Sequence, residues 1–295
     1  MATKMTAPKV LAAKGGEKLR MVTAYDHPTA QIADRAGADI ILVGDSLANV
    51  VLGYDDTLSV TIDVMVHHTA AVARAKPRAL IVGDMPWLSF HVTVAEAVRN
   101  AGRLIKEGGA EAIKLEGGRK RLPVIRALRD AEIPVMGHLG LTPQSVHAMG
   151  GYRVQGKRAH AAYELVSDAH ALADAGVFAI VLEGVPDVVA AKVTEEVPVP
   201  TIGIGAGPSC DGQVLVFHDV VGLGGDHLPK FVRRYGALRD EAVAALEAFF
   251  ADVRSGEFPR EEETYHMPEE SARVFRELTE APAGDDLFAD EAMER

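Results

Sequence analysis

A chain of 295 residues with 48% hydrophobic content can bury a large single core, and one α/β barrel of about 250 residues would use most of it. Its 42 acidic residues outnumber 31 basic ones and no dense Lys/Arg cluster occurs, which excludes the electrostatic footprint of a nucleic-acid binder and points to a small-molecule substrate. The single cysteine, Cys210, excludes an internal disulfide or a thiolate metal site and fits a reducing, cytoplasmic setting; no apolar stretch suggests a signal peptide or a membrane span.

Residues 1–18 are expected to form an N-terminal arm or helix, 19–256 the main domain, and 257–295 an acidic, flexible tail. In chain order, strands are expected at Met21-VTAY, Ile40-ILVG before Asp45, Leu80-IVG before Asp84, Ala112 to Glu116, Ile133-PVMG before His138, Phe178-AIVL before Glu183, Pro200-TIGIG and Val214-LVFH. Near-continuous Val/Ile/Leu runs of this kind mark parallel strands buried on both faces. Between them, Thr29-AQIADRAG, Val94-AEAVRNAGRLIKEGG, Arg119-KRLPVIRALRDA, His160-AAYELVSDAHALADAG and Val185-PDVVAAKVTEE carry apolar residues at three- and four-residue intervals, with Gly37, Gly108 and Gly176 as C-terminal caps. Eight strands at this tempo predict parallel βαβ units closed into a (β/α)8 TIM barrel, with a doubly wound sheet as the alternative that periodicity leaves open. Two connections exceed what the scaffold needs, Leu47 to Thr61 and Leu139 to Arg158, and are expected to act as lids or substrate clamps. Gly150, Gly151 and Gly156 would let the second one hinge. From Glu257 onward thirteen acids face four arginines, so nine of the eleven net negative charges lie in the tail, which should stay solvated apart from a short helix at Ser271 to Leu278.

Ligands of parallel barrels bind at the carboxyl ends of the strands, where this chain places ionisable residues. Asp45 and Asp84 follow Val-Gly steps on neighbouring strands. Two carboxylates facing one point call for a hard divalent cation such as Mg2+ that keeps several waters; alternatively each caps a following helix, as Ser46 also could. Lys114 and Glu116 share the inward face of one strand and either pair with each other or serve as anion contact and metal ligand, directly or through water. Glu183 ends an apolar run, where desolvation favours a general base, unless it is an ordinary solvated rim acid. His138 is either a donor to a substrate oxygen or a structural histidine. His67 and His68 read as structural or surface residues, Gly203-IGAG as a packing feature more than a phosphate loop, and Cys210 as no nucleophile. Ion, lysine and base together suggest proton abstraction beside the carbonyl of a 2-oxo acid.

The segments Thr23-AYD, Leu42-VGDSL, Thr57-LSVT, His68-TAAV, Ala112-IKLEGG, Gly137-HLGLTPQSV, Gly150-GYRVQG, Leu182-EGVP, Ile202-GIGAG, Asp211-GQ and Pro229-KF resemble the ketopantoate hydroxymethyltransferase family over most of the chain. The resemblance implies a (β/α)8 barrel, Mg2+, and one-carbon transfer from 5,10-methylenetetrahydrofolate to 3-methyl-2-oxobutanoate through a metal-stabilised enolate, in a homo-oligomer, commonly a decamer. It also implies Asp45 and Asp84 as metal ligands with Glu116 near the ion, Asp45, Ser46, Asp84 and Lys114 as substrate contacts, Glu183 as proton acceptor, and no settled role for His138. Two rivals are kept: a lyase of the phosphoenolpyruvate mutase or isocitrate lyase type, which would need a lid-loop cysteine, and a silent scaffold barrel, which would be expected to lose its acidic strand ends.

Overall fold

The computed structural model describes residues 3–225 and 228–280, and within them eight parallel strands close into a barrel in sequence order. The strands are β1 (Leu19–Thr23), β2 (Ile40–Val43), β3 (Leu80–Asp84), β4 (Ala112–Glu116), β5 (Val135–Gly140), β6 (Ala179–Glu183), β7 (Thr201–Ile204) and β8 (Gly212–Leu215). Helix α1 (Ala7–Ala12) precedes them, and α2 (His27–Arg35), α3 (Leu47–Val50), α4 (Ile62–Ala73), α5 (Val94–Lys106), α6 (Leu122–Asp130), α7 (Val146–Met149), α8 (Ala159–Asp174), α9 (Asp187–Glu196) and α10 (Phe217–Val221) are interleaved with or follow them. Pairing of β1 with β8, from Leu19↔Gly212 to Val22↔Leu215, closes the sheet and removes the doubly wound alternative.

Local chemistry sets the helix starts. Asp26 and Thr29 form a reciprocal capping box on α2, and the hydroxyls of Thr61 and Thr93 accept from the first-turn backbone of α4 and α5, satisfying donors that a helix leaves open. Two boundaries differ from expectation. The apolar run beginning at Val214 hides the end of a strand: β8 starts at Gly212, and Phe217 already belongs to α10. After α5 the left-handed residue is Gly109 (φ 72°), one position beyond Gly108.

Alternate residues of every strand point inward. Leu19, Met21, Ile40, Leu42, Leu80 and Val82 lead one apolar cluster that fills the barrel from its amino end, and Ala7 and Val10 of α1 belong to the same cluster. The expected N-terminal arm is therefore a plug. Each of the Leu, Ile, Val and Met side chains contributes roughly 1.5–3 kcal/mol by leaving water. Lys14 Nζ and the Gly15 amide fasten the plug to the buried Asp211 carboxylate at 2.9 and 3.0 Å. A second cluster joins the outer strand faces to α2, α4, α5, α6, α8 and α9.

Packing divides the chain at residues 239 and 240, not at the boundary near 256 drawn from composition. The physical reason is α11 (Leu238–Ser255): it has a helix's composition but buries no residue. In this second unit Phe249 meets Phe250 and Phe258 at ring-centroid distances of 5.7 and 5.3 Å, and α12 (Glu269–Glu280), spanning the expected short helix, carries Arg273 between Glu270 and Glu277. The rest of the acidic tail, 281–295, lies outside the described residues. No helix among the described residues is long and apolar enough to cross a membrane.

Candidate active site

One more inward step along the strands, the apolar filling gives way to charge. Asp84 ends β3, Lys114 and Glu116 lie on β4, His138 on β5 and Glu183 at the end of β6. The register sets Asp84 beside Lys114 and Glu116 beside His138, while Glu183 sits opposite Gly140. These side chains line one cavity of about 1030 Å3 together with Asp45 and Ser46, so all of the candidate residues are brought together. Gly140 (φ 96°) is required there: a Cβ would run into the Glu183 carbonyl, which accepts from the Leu141 amide at 2.7 Å.

Lys114 Nζ lies 2.8 Å from Asp84 Oδ1, with both side chains buried. It pairs across strands with Asp84 rather than along its own strand with Glu116. Burial opposes its charge most strongly, but Asp84, Glu116 and Asp45 outweigh that and hold the ammonium above its ordinary range. His138 is no isolated structural histidine. Its Nδ1 is 3.4 Å from Glu116 Oε1 and 3.3 Å from Lys114 Nζ, and its Nε2 is 3.3 Å from Glu183 Oε2. Burial and the lysine push its pKa down, yet the two glutamates prevail and raise it to about 9. At these separations the His138–glutamate contacts are charge contacts, longer than good hydrogen bonds.

Helix capping explains neither aspartate. Ser46 precedes α3 without a side-chain cap, and α5, the helix after Asp84, is capped by Thr93. Burial raises Asp45 to about 6, helped by Glu116, and raises Asp84 to about 7 against the pull of Lys114. Ser46 Oγ shares a hydrogen bond of 2.8 Å with the Tyr25 hydroxyl.

Gln144, which residue-by-residue reading did not single out, ties the acids together. Its amide nitrogen Nε2 donates to Asp45 Oδ2 at 2.9 Å and to the Met85 carbonyl at 3.0 Å, while its backbone N–H donates to Glu116 Oε2 at 3.1 Å. A loop glutamine has no periodic signature; its only signal was its place in Gly137-HLGLTPQSV.

The donor set fits a divalent cation. Fully ionised, Asp45, Asp84, Glu116 and Glu183 exceed Lys114 and His138 by two negative charges, in a site where burial already resists ionisation. Gln144 Oε1 is a buried acceptor without a hydrogen-bond donor, and the buried Asp84 Oδ1 and Glu116 Oε1 have only ion-pair contacts, to Lys114 Nζ at 2.8 Å and His138 Nδ1 at 3.4 Å. Among the described residues no three His, Cys, Asp or Glu side chains form a ready cage, and a hard ion that keeps waters and takes one or two carboxylates needs none.

Three other expectations resolve here. His68 Nδ1 lies 2.6 Å from the Tyr25 carbonyl oxygen, a structural contact. Gly205 (φ 61°) packs against Phe231, whose ring would lie 2.8 Å from an added Cβ. Cys210 is buried between β7 and β8, outside the cavity lining, and burial raises its thiol; it is not the lid cysteine a lyase would need.

A closed eight-stranded barrel whose carboxyl end gathers four carboxylates, a lysine and a histidine around one cavity is a TIM-barrel enzyme. The family described as ketopantoate hydroxymethyltransferase matches residues 4–261. A 3-methyl-2-oxobutanoate hydroxymethyltransferase from Moorella thermoacetica is 56% identical over 264 residues, 89% of this chain and 98% of that protein, and one from Syntrophobacter fumaroxidans is 55% identical over 92% of this chain and 97% of its own length. The chain belongs to the ketopantoate hydroxymethyltransferase family. Among solved structures, phosphoenolpyruvate phosphomutase from Streptomyces platensis subsp. rosaceus superposes with TM-score 0.57 at 15% identity, covering 93% of this chain and 96% of that one. The 2,3-dimethylmalate lyase of the PEP mutase/isocitrate lyase superfamily does so with TM-score 0.56 at 19%, covering 95% and 97%. At these identities the likeness concerns the fold alone.

Proposed function

We propose that this chain transfers a one-carbon unit from 5,10-methylenetetrahydrofolate to 3-methyl-2-oxobutanoate, giving 2-dehydropantoate for pantothenate and coenzyme A synthesis, with Mg2+ as its metal. The observation that carries the reading is the run Asp84–Lys114–His138–Glu183 at one cavity end, in a chain 56% identical to a protein named for that activity. Asp45 and Asp84 would hold the ion, with Glu116 contacting it directly or through water. When bound, a divalent cation supplies a Lewis acid for the carboxylate and keto oxygens of the substrate.

The remaining work falls to side chains of the barrel. Lys114, kept protonated by its acids, binds a substrate oxygen, and Ser46 Oγ orients the same group. Glu183 removes the proton from C3. His138, with Nε2 3.3 Å from Glu183 Oε2, positions that carboxylate. The enolate carbon attacks the methylene carbon; water supplies the oxygen of the hydroxymethyl group, and tetrahydrofolate leaves. Apolar residues exposed on α11, among them Leu246, Phe249, Phe250 and Val253, support a homo-oligomer.

Deuterium exchange tests the first half of this chemistry. With 3-methyl-2-oxobutanoate in deuterated water and Mg2+, the C3 proton is expected to exchange; absence of exchange with the ion present sinks the enolisation step. Adding methylenetetrahydrofolate must then yield 2-dehydropantoate.

A further inference from the structure

The cavity is far larger than the oxo acid. At about 1030 Å3 it holds the space of about 30 waters, whereas 3-methyl-2-oxobutanoate has five carbons and three oxygens. The charged strand ends occupy only its inner part. The outer wall comes from Gly150-GYRVQG, Ile202-GIGAG and Pro229-KF, three segments that enolisation of the oxo acid does not use. They lie far apart in sequence yet line the same cavity. Phe231 rests on Gly205, a contact that only a residue without a side chain allows.

That wall has a definite chemistry. Tyr152 and Phe231 present aromatic surface that is 55% and 39% exposed. Burial, Asp56, Asp45 and Glu183 all raise the Tyr152 hydroxyl, so this residue reaches toward the charged centre as well as the rim. Arg153 and Lys230 also line the cavity, and among the described residues their side chains have no ion-pair partner. Two such cations beside two open aromatic rings fit a ligand that is aromatic at one end and anionic at the other.

We infer that this outer wall seats the one-carbon donor, with Tyr152 and Phe231 against its pterin ring system and Arg153 and Lys230 taking the carboxylates of its glutamyl tail. The inference rests on the proposed use of a folate and adds the residues that bind it. Asp187 and Asp219 on the same wall suit the amino and amide donors on the pterin edge.

The full-length double variant R153A/K230A separates this inference from the reaction it presupposes. C3 exchange of the oxo acid needs no folate and is measured first; if the unaltered protein neither exchanges nor forms 2-dehydropantoate, the reaction itself is wrong. Given both activities, the double variant is expected to keep exchange and the KM for the oxo acid while its KM for methylenetetrahydrofolate rises about 10-fold, the scale of losing two exposed charge contacts. Tetrahydrofolate binding by titration calorimetry should weaken by the same factor. Binding of 6-methyltetrahydropterin, which lacks the tail, should not change in R153A/K230A and should weaken in F231A. An unchanged folate KM, or equal loss of folate and tail-less pterin in R153A/K230A, overturns the assignment.

Discussion

The two ends of the barrel use the same alternation for opposite purposes. At the amino end, inward positions are Leu19, Ile40, Leu80 and their neighbours, plugged by Ala7 and Val10. At the carboxyl end, the same face of the same strands carries Asp84, Lys114, Glu116, His138 and Glu183. Even like residues behave differently. At the closed end Asp211 is surrounded by donors, and although burial opposes its charge, Thr201, Lys14 and Gly15 hold its pKa below 3.8. At the open end burial leaves Asp45 and Asp84 at about 6 and about 7. One end is satisfied, and the other keeps electrostatic demand for a ligand to meet.

Removing the base should have the largest effect. In Glu183→Gln the C3 exchange rate is expected to fall by about 10²–10⁴-fold, with substrate and metal binding retained in calorimetry; full exchange would assign the base elsewhere. Lys114→Met strips Asp84 of its buried partner and should cost about 3–5 kcal/mol in urea unfolding at pH 8 without divalent cation. That loss should shrink as pH falls toward about 7, because Lys114 lowers the Asp84 value in the parent and without it Asp84 takes up its proton at a higher pH. At the closed end, Leu80→Ala should cost about 2–5 kcal/mol by leaving a cavity, with the exchange rate of the folded fraction unchanged. If exchange fell with it, the two ends would not be separable.

What sequence could reveal follows the same division. Strands were legible because burial on both faces leaves apolar runs that end on a charged or glycine residue, so β3 and β4 lie where the runs from Leu80 and Ala112 predict. The break inside Val214-Leu-Val-Phe was not legible, because hydropathy is continuous from Val216, still extended (φ −68°, ψ 129°), into Phe217, the first residue of α10. At the site, residue types and faces could be read, but partners could not. Choosing between Glu116 and Asp84 as the neighbour of Lys114 requires the cross-strand register, and the position of His138 between two glutamates requires three strands at once. Gln144 acts through loop geometry that leaves no pattern.

The smallest effect discriminates by its sign with pH. Asp211 is a carboxyl depressed in the folded state, so its contribution is present above the unfolded value near 3.8 and is lost as pH falls through the folded value. Asp211→Asn should cost about 1–3 kcal/mol at pH 7, and the deficit should close as the parent protein is acidified below 3.8. Asp45 and Asp84 have the opposite sign. Their folded values lie above 3.8, so without a cation the parent protein should lose stability as pH rises from there to about 7, and no further on their account above it. Urea unfolding of parent and variant from pH 3 to 8 resolves both slopes. A variant deficit that grew below pH 3.8 would mean that Asp211 is held protonated, and the plug would then depend on apolar contact alone.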